Sequence, residues 1–245
     1  MGTVTNEKNE FLVAAIVPAK MTSIRLPRKN LADLGGYPLF YYSVRAAQLC
    51  PNVNEVFVSS ESAEVLEAAN KYGAHCISRP AELSLPNVTN ADVLHHALQE
   101  MTNKMGKEPD LTVLLQPTHP LRIPSDITKG IYAMLNDDTA DCLFSLVKID
   151  ELRGVIQDSR FIPEYPLPRN KQFETKRYRN TGSFYIFRTA RTIRLGKLFT
   201  SEIIPLVLSN PQFEIDVDEA SDLELARSLL EANKMRFSMY AEING

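Results

Sequence analysis

The sequence has no tryptophan, only three cysteines among 245 residues, and no apolar run of the roughly 18 residues that a membrane-spanning helix needs. Cys50, Cys76 and Cys142 are odd in number and form no CxxC or CxxH pair, so neither a disulfide framework nor a zinc site is predicted. Reduced thiols favour a cytoplasmic protein. The polar first ten residues lack the apolar segment of a signal peptide.

The sequence also lacks the features of nucleic-acid-binding proteins and of the common nucleotide-binding loops. The formal net charge is −3, without the basic excess typical of proteins that bind DNA or RNA, so we expect no nucleic-acid partner. The lack of a spanning apolar run predicts no membrane partner. The P-loop pattern GxxxxGK[ST] is absent, and no GxGxxG follows a predicted strand. A nucleotide site, if present, must therefore use another loop.

Short apolar runs alternate with helical stretches along most of the chain. The predicted strands are 11–17, 55–59, 75–77, 111–115, 142–147, 182–187 and 213–217, and the predicted helices are 38–49, 62–72, 89–101, 125–135 and 219–232. This alternation predicts an α/β fold with a mostly parallel sheet and helices on both sides. Ligands of such folds bind at the carboxyl ends of the strands.

The predicted organisation is a flexible tail at residues 1–10 followed by one domain at residues 11–245. Residues 148–180 interrupt the alternation, because they are polar, rich in charge and contain several prolines. Such a segment cannot build a core of its own. Two interpretations stay open: a surface excursion, or an arm that packs on a partner subunit.

The loop after the first predicted strand is rich in cations and in neutral hydrogen-bonding side chains. The cations are Lys20, Arg25, Arg28 and Lys29, and the neutral partners are Ser23 and Asn30. Cations and backbone N–H groups at a strand end can hold a triphosphate. Charge alone allows a solvated turn equally well, so composition leaves both interpretations open.

Two aspartates end the last predicted strand. Side chains alternate along an extended segment, so Asp216 and Asp218 would lie on one face. Two such carboxylates can bind Mg²⁺, which prefers oxygen ligands and phosphate oxygens. The alternative is that Asp218 only caps the final helix, an ordinary use of aspartate.

Five motifs, each in the expected order, resemble those of the CMP–acidic sugar synthetases, the acylneuraminate cytidylyltransferase family. They are PAKMTSIRLPRKNL, SRPAEL, LLQPTHPLR, RNTGSFY and FEIDVDEASDL. The resemblance spans roughly Val13 to Leu230. It implies a three-layer, Rossmann-like nucleotide-diphospho-sugar transferase fold, CTP and an acidic sugar as substrates, and Mg²⁺ as cofactor. It also implies a homodimer with a protruding dimerisation arm at about 148–180.

The resemblance assigns roles to individual residues. The nucleotide-binding set is Ala19, Lys20, Ser23, Lys29, Asn30, Arg79 and Asn90. Gln116 and Arg179 are implied to face the sugar acid, and Asp216 and Asp218 to bind the metal. With Lys29, the two aspartates form the implied catalytic set. Arg122 is implied to order the loop that carries Gln116.

The implied reaction is CTP plus a nonulosonic, sialic-acid-like sugar acid giving a CMP-sugar and pyrophosphate. Gln116 favours the nine-carbon acids, because octulosonate synthetases carry a G-D-x-P run there. Arg25 matches the octulosonate synthetases, so an eight-carbon 3-deoxy-octulosonate-type acid stays an alternative. A non-catalytic nucleotide-binding protein on the same fold is another. Departures from the family pattern are Lys20, Ile24, Glu61 and His119, and the sequence predicts no effect for them.

Overall fold

In the computed structural model, residues 11–151, 153–164 and 176–240 are described. The strands are β1 (Val13–Pro18), β2 (Asp33–Leu34), β3 (Tyr37–Pro38), β4 (Glu55–Ser60), β5 (His75–Ser78), β6 (Leu111–Leu115), β7 (Cys142–Ile149), β8 (Gly154–Gln157), β9 (Arg160–Pro163), β10 (Arg177–Arg188) and β11 (Ile203–Val207). Seven of them form one sheet in the order β11-β7-β10-β6-β1-β4-β5. Only β10 runs antiparallel to its neighbours in that sheet, so the predicted α/β fold with a mostly parallel sheet is confirmed.

Local signals in the sequence set where the helices begin and end. The helices are α1 (Tyr41–Gln48), α2 (Ala63–Lys71), α3 (Asn90–Met105), α4 (Pro124–Asn136), α5 (Ala220–Ala232) and α6 (Lys234–Phe237). Thr89 and Asp92 form a reciprocal capping box at the start of α3, and Gly106 ends that helix with a φ of 76°. Pro124 begins α4, where its missing N–H costs nothing. None of the described helices is long and apolar enough to cross a bilayer.

The core lies on both faces of the sheet. Along β1, Val13, Ala15 and Val17 belong to one buried cluster, whereas Ala14 and Ile16 belong to the other. Because alternate side chains point to opposite faces, a strand covered on both sides must be apolar throughout. Helix α3 packs on the second face, and α1, α2, α4 and α5 supply buried side chains to the first. The result is the predicted three layers.

Some of the predicted elements and boundaries were wrong. Residues 213–217 form no sheet strand: a 3₁₀ turn at Pro211–Phe213 precedes an extended segment outside the sheet. Helix α1 starts at Tyr41 rather than at Pro38, because Pro38 pairs with Asp33 in the β2–β3 hairpin. Strand β10 starts at Arg177, five residues before the predicted strand at 182.

One strand of the sheet was not predicted at all. Strand β11 contains Pro205 and alternates between exposed and half-buried residues, so it lacks the apolar run that marks the central strands. It lies at the edge of the sheet, where a proline is tolerated.

The segment at 148–180 is described in part. Strand β7 continues to Ile149, and β8 and β9 form an antiparallel hairpin beyond it. The hairpin exposes apolar side chains, among them Ile156 and Phe161. Residues 165–175 of this segment, and the predicted tail at 1–10, lie outside the described residues.

Candidate active site

A cleft opens where parallel strands of the sheet end. The loops after β1, β5 and β6 and the first turns of α3 line it, and its volume is about 220 Å³. Predicted ligand-contacting residues that line it are Lys20, Ser23, Lys29, Asn30, Arg79, Asn90 and Gln116. The structure brings these residues together because β6, β1, β4 and β5 are adjacent and parallel, so their carboxyl ends meet at one edge.

Ala19 is the one residue of the predicted nucleotide set that does not line the cleft. It is fully buried, its N–H donates to the Ser59 carbonyl at 2.9 Å, and its carbonyl accepts from Ser60 Oγ at 2.7 Å. Both of its backbone polar groups are therefore already bonded to the end of β4. Ala19 thus fixes the start of the cation-rich loop after β1 to the sheet.

Lys29 is the most enclosed of the four loop cations. Arg28 adopts a left-handed backbone with a φ of 57°, and the short 3₁₀ helix Lys29–Leu31 follows it. The Lys29 side chain is 11% exposed, and its Nζ donates to Asp218 Oδ1 at 2.7 Å. Arg25 bonds the other oxygen of Asp218, whereas Arg28 turns outward to Glu64.

Asp218 is thus a carboxylate shared by two cations. Burial would raise its pKa, but the hydrogen bonds and charges of Lys29 and Arg25 outweigh burial and hold the pKa below its usual range. The alternative that Asp218 caps the final helix was wrong. Glu219 is the N-cap of α5, and the Asp222 carboxylate accepts from the backbone N–H groups of Asp218 and Glu219.

Glu61 accepts hydrogen bonds from three residues at the cleft: Met21 in the loop after β1, and Arg79 and Ser84 in the loop after β5. Its Oε1 accepts from the backbone N–H of Met21 at 2.7 Å, and its Oε2 accepts from Arg79 at 2.9 Å and from Ser84 Oγ at 2.7 Å. The Arg79 side chain is 2% exposed, so its guanidinium depends on this carboxylate for charge compensation. Glu61 therefore fixes both the loop after β1 and the arginine that lines the cleft.

Replacing Glu61 by glutamine is expected to lower the free energy of unfolding by about 1–2 kcal/mol at pH 7. Burial would raise the pKa of Glu61, but its bonds to Arg79, Met21 and Ser84 lower it below the ordinary 4.5. A lowered pKa in the folded state stabilises the protein above the ordinary value, and that stabilisation is lost as pH falls through the folded-state value.

Urea unfolding of both proteins between pH 7 and pH 3 measures this difference. The gap between wild type and Glu61→Gln is expected to be constant above about pH 5 and to shrink below pH 4.5. Glu64→Gln is the matched control, because Glu64 is exposed and its pair with Arg28 lies on the surface. A gap that does not change with pH would show that the Glu61 charge is not what holds the loops.

Arg122 orders the loop that follows β6. It is buried, and its guanidinium donates to the carbonyls of Ser183 (2.7 Å) and Gln116 and to Ser43 Oγ (2.7 Å). Burial lowers the pKa of Arg122 to about 9. One side chain therefore links α1, β10 and the backbone of Gln116.

A glycine lies against the side chain of Gln116. Strand β10 changes register between Asn180 and Tyr185, and Gly182, within this bulge, has a φ of 75°. A Cβ at Gly182 would lie 3.5 Å from Gln116 Oε1 and 3.6 Å from His119 Cε1. Bulges next to active sites commonly redirect side chains. Here the bulge brings the backbone of β10 close to Gln116, which lines the cleft.

Arg179 and Asp216 lie beyond Gln116, outside the lining of the cleft itself. Arg179 makes a two-pronged ion pair with Glu214, whose side chain is 4% exposed. His119 Nε2 lies 3.5 Å from Glu214 Oε1, and His119 Nδ1 lies 3.9 Å from Asp216 Oδ1. The Val217 N–H donates to the Thr118 carbonyl at 2.8 Å, which holds this segment beside the loop after β6.

Comparison with known proteins decides the family. The family model described as cytidylyltransferase matches residues 14–237. The chain belongs to the cytidylyltransferase family. The predicted resemblance is confirmed.

Two curated relatives are similar to this chain over most of its length and over most of their own. The CMP-N,N'-diacetyllegionaminic acid synthase of Legionella pneumophila is 30% identical over 235 residues, which are 91% of this chain and 97% of that protein. The pseudaminic acid cytidylyltransferase of Campylobacter jejuni is 29% identical over 226 residues, 89% of this chain and 96% of that protein.

A solved structure supports the fold. The CMP:2-keto-3-deoxy-manno-octonic acid synthetase complexed with CTP superposes with a TM-score of 0.68 at 21% identity, covering 90% of this chain and 99% of that one. At this identity the likeness concerns the fold, which is Rossmann-like as predicted.

Asp216 and Asp218 are the carboxylates of this cytidylyltransferase-family site that would hold a metal ion. Asp216 is half exposed and Val217 fully buried, so Asp216 and Asp218 share the accessible face of their segment. Within the described parts of the chain, no group of three His, Cys, Asp or Glu side chains is placed to hold a metal ion. Mg²⁺ commonly uses one or two carboxylates and completes its shell with water and phosphate oxygens. The donor set therefore fits Mg²⁺ bound together with a triphosphate.

Proposed function

We propose that the protein is a cytidylyltransferase that activates a nonulosonic sugar acid, giving a CMP-sugar and pyrophosphate from CTP and the acid. The observation that carries the proposal is the convergence of Lys20, Lys29 and Arg79 with Gln116 in one cleft at the strand ends. Three cations suit a triphosphate, and an amide suits a polyol. The named substrates of the two curated relatives support the choice of acid.

The chemistry is a displacement at phosphorus. The anomeric hydroxyl of the sugar acid attacks the α-phosphorus, a new P–O bond forms, the bond to pyrophosphate breaks, and the hydroxyl proton is released to water. Such reactions depend on positioning and on stabilising charge. Lys20, Ser23 and Lys29 would bind the phosphates and stabilise the leaving pyrophosphate. Asp216 and Asp218 would hold Mg²⁺, which neutralises phosphate charge when bound.

Gln116 would hydrogen-bond the sugar hydroxyls. Arg179 would pair with the carboxylate of the sugar acid, because the guanidinium edge suits carboxylates. Asn90, at the first turn of α3, would contact the base or ribose. Asn30 Nδ2 donates to the Lys20 carbonyl at 2.6 Å and would keep the loop in shape for the phosphates.

The second candidate is a cytidylyltransferase for an eight-carbon 3-deoxy-octulosonate-type acid. It is favoured by Arg25, which matches that branch of the family and bonds Asp218 in the structure.

The test is release of pyrophosphate from CTP and Mg²⁺ with a panel of acids: N-acetylneuraminate, a legionaminate, a pseudaminate, a deaminated nonulosonate and 3-deoxy-octulosonate. We expect release with a nonulosonate, abolished by a chelator and by the Asp216→Ala, Asp218→Ala double variant. Release with the octulosonate alone would establish the second candidate. CTP binding without release for every acid would favour the non-catalytic alternative.

We also propose that two chains form a homodimer through the arm at about 148–180. Support comes from the β8–β9 hairpin, which exposes Val155, Ile156 and Phe161 although a lone hairpin is marginally stable in water. Size-exclusion chromatography with light scattering is expected to give twice the chain mass of 27.6 kDa. The chain mass itself, at working concentration, would contradict the dimer.

A cytoplasmic location is proposed on the basis of the cysteines. Cys50, Cys76 and Cys142 are all free thiols, and Cys50 and Cys142 are buried. Proteins kept in reducing compartments show this usage. Fractionation of cells that express the natural protein is expected to recover it with cytoplasmic markers, and recovery with the membranes or the medium would contradict the location.

A further inference from the structure

Glu214 is a buried carboxylate with two basic neighbours at the sugar end of the site. Its side chain is 4% exposed. Arg179 Nη1 lies 3.5 Å from Oε1, Arg179 Nη2 bonds Oε2, and His119 Nε2 lies 3.5 Å from Oε1. A buried charge is costly unless it is paired, so the position of this carboxylate is set by these contacts.

The orientation of the Arg179 guanidinium depends on Glu214. At Arg179, strand β10 pairs only with β7, because its pairing with β6 begins at Phe184. The Arg179 side chain is 36% exposed, against 4% for Glu214. One side of the guanidinium is thus bonded to an enclosed carboxylate, and within the described part of the chain its other N–H donors have no acceptor, so a ligand can use them.

His119 packs against Glu214, with its Nε2 3.5 Å from Oε1, the oxygen that Arg179 Nη1 also approaches. Its side chain is 3% exposed, and its Nδ1 lies 3.1 Å from Thr118 Oγ1. Its Cε1 would lie 3.6 Å from a Cβ at Gly182, the position that also faces Gln116. The His119 N–H donates to the Gln116 carbonyl at 3.2 Å, so His119 lies between Glu214 and the loop that carries Gln116.

We propose that Glu214 is a positioning residue for Arg179 and a determinant of specificity for the sugar acid, with His119 as its support; this rests on the proposed function. Because Glu214 compensates the charge of Arg179, an acid gains little from general attraction to this end of the site. It binds well only when its carboxylate meets the N–H groups that Glu214 leaves open. The site then selects by the position of the carboxylate and not merely by its charge.

The test measures steady-state KM and kcat for both substrates in Glu214→Gln, Glu214→Asp and Arg179→Met. Glu214→Gln keeps the shape but removes the charge, and it is expected to raise the KM for the preferred acid about tenfold while the KM for CTP changes less than about twofold. Glu214→Asp keeps the charge and is expected to lie between Glu214→Gln and wild type. In the Arg179→Met background, Glu214→Gln is expected to add less than about twofold.

Glu108→Gln is the matched control. Glu108 also forms a two-pronged pair with an arginine, Arg194 at 3.0 and 2.7 Å, but it precedes β6 and so lies at the opposite edge of the sheet from the cleft. Its KM values are expected to equal those of wild type. A purely structural role for Glu214 would change stability and both KM values together.

Equal changes in the two KM values, or an undiminished effect of Glu214→Gln without Arg179, would overturn the inference. An active wild type whose Glu214→Gln variant is unchanged would overturn the inference alone. A wild type that releases no pyrophosphate with any acid would overturn the proposed function and, with it, the inference.

Discussion

Replacing Lys29 by methionine is expected to lower kcat/KM for CTP by about 10²–10³-fold, the usual loss when one donor to a developing charge is removed. Lys29 is the loop cation that is both enclosed and in the cleft, at 11% exposure. Its Nζ also contacts Asp218, so it lies between the predicted phosphate site and the predicted metal site. Methionine keeps much of the length and apolar bulk of the side chain and removes only the charge.

Pyrophosphate release at varied CTP measures the effect, with thermal unfolding as a check that the variant is folded. Arg28→Met is the control, because Arg28 is the adjacent cation but pairs with Glu64 on the surface. Its kcat/KM is expected to stay within about twofold of wild type. Equal losses in the two variants would mean that the loop acts through its overall charge, and full activity of Lys29→Met would remove Lys29 from the mechanism.

Replacing Arg122 by methionine is expected to lower the free energy of unfolding by about 3 kcal/mol, because three buried acceptors lose a charged donor at once. The acceptors are the carbonyls of Ser183 and Gln116 and the hydroxyl of Ser43. The three acceptors lie in β10, in the loop after β6 and in α1, so the loss of Arg122 removes a hydrogen-bonded link among three parts of the fold. The loop that carries Gln116 is expected to lose its shape first.

Urea unfolding measures the loss, and Arg194→Met is the control. Arg194 bonds the carboxylate of Glu108, and its side chain is 57% exposed. Its replacement is therefore expected to cost less than about 1 kcal/mol. A similar loss in both variants would show that the buried hydrogen bonds of Arg122 add nothing beyond an ordinary surface pair.

The central strands were predictable because a strand buried on both faces has an almost continuously apolar sequence. β1 and β6 are apolar along nearly their whole length, since both faces are covered. β11 was missed for the opposite reason, as an edge strand needs no such run. The segment at 213–217 shows the limit of period-two patterns: Phe213, Ile215 and Val217 are buried as in a strand, yet the segment packs beside a loop instead of joining the sheet.

The cleft was predictable to the extent that ligand-facing residues follow strands. Residues after β1, β5 and β6 were identified from motifs, and the topology brings them together. Glu61 and Glu214 were not assigned roles, because each acts through a partner distant in sequence, Arg79 and Arg179. For Glu214 one signal was present: it alternates with Asp216 and Asp218, so an extended segment puts all three on one face.

The most direct test of the proposed function follows the phosphates of CTP during turnover with the preferred nonulosonic acid. With label in the α-phosphate, we expect the label to appear in a CMP-sugar, in a one-to-one ratio with pyrophosphate. Label in the γ-phosphate should appear only in pyrophosphate. Label from the α-phosphate that stays in CTP, or appears only as free CMP with every acid, would contradict transfer of CMP to a sugar.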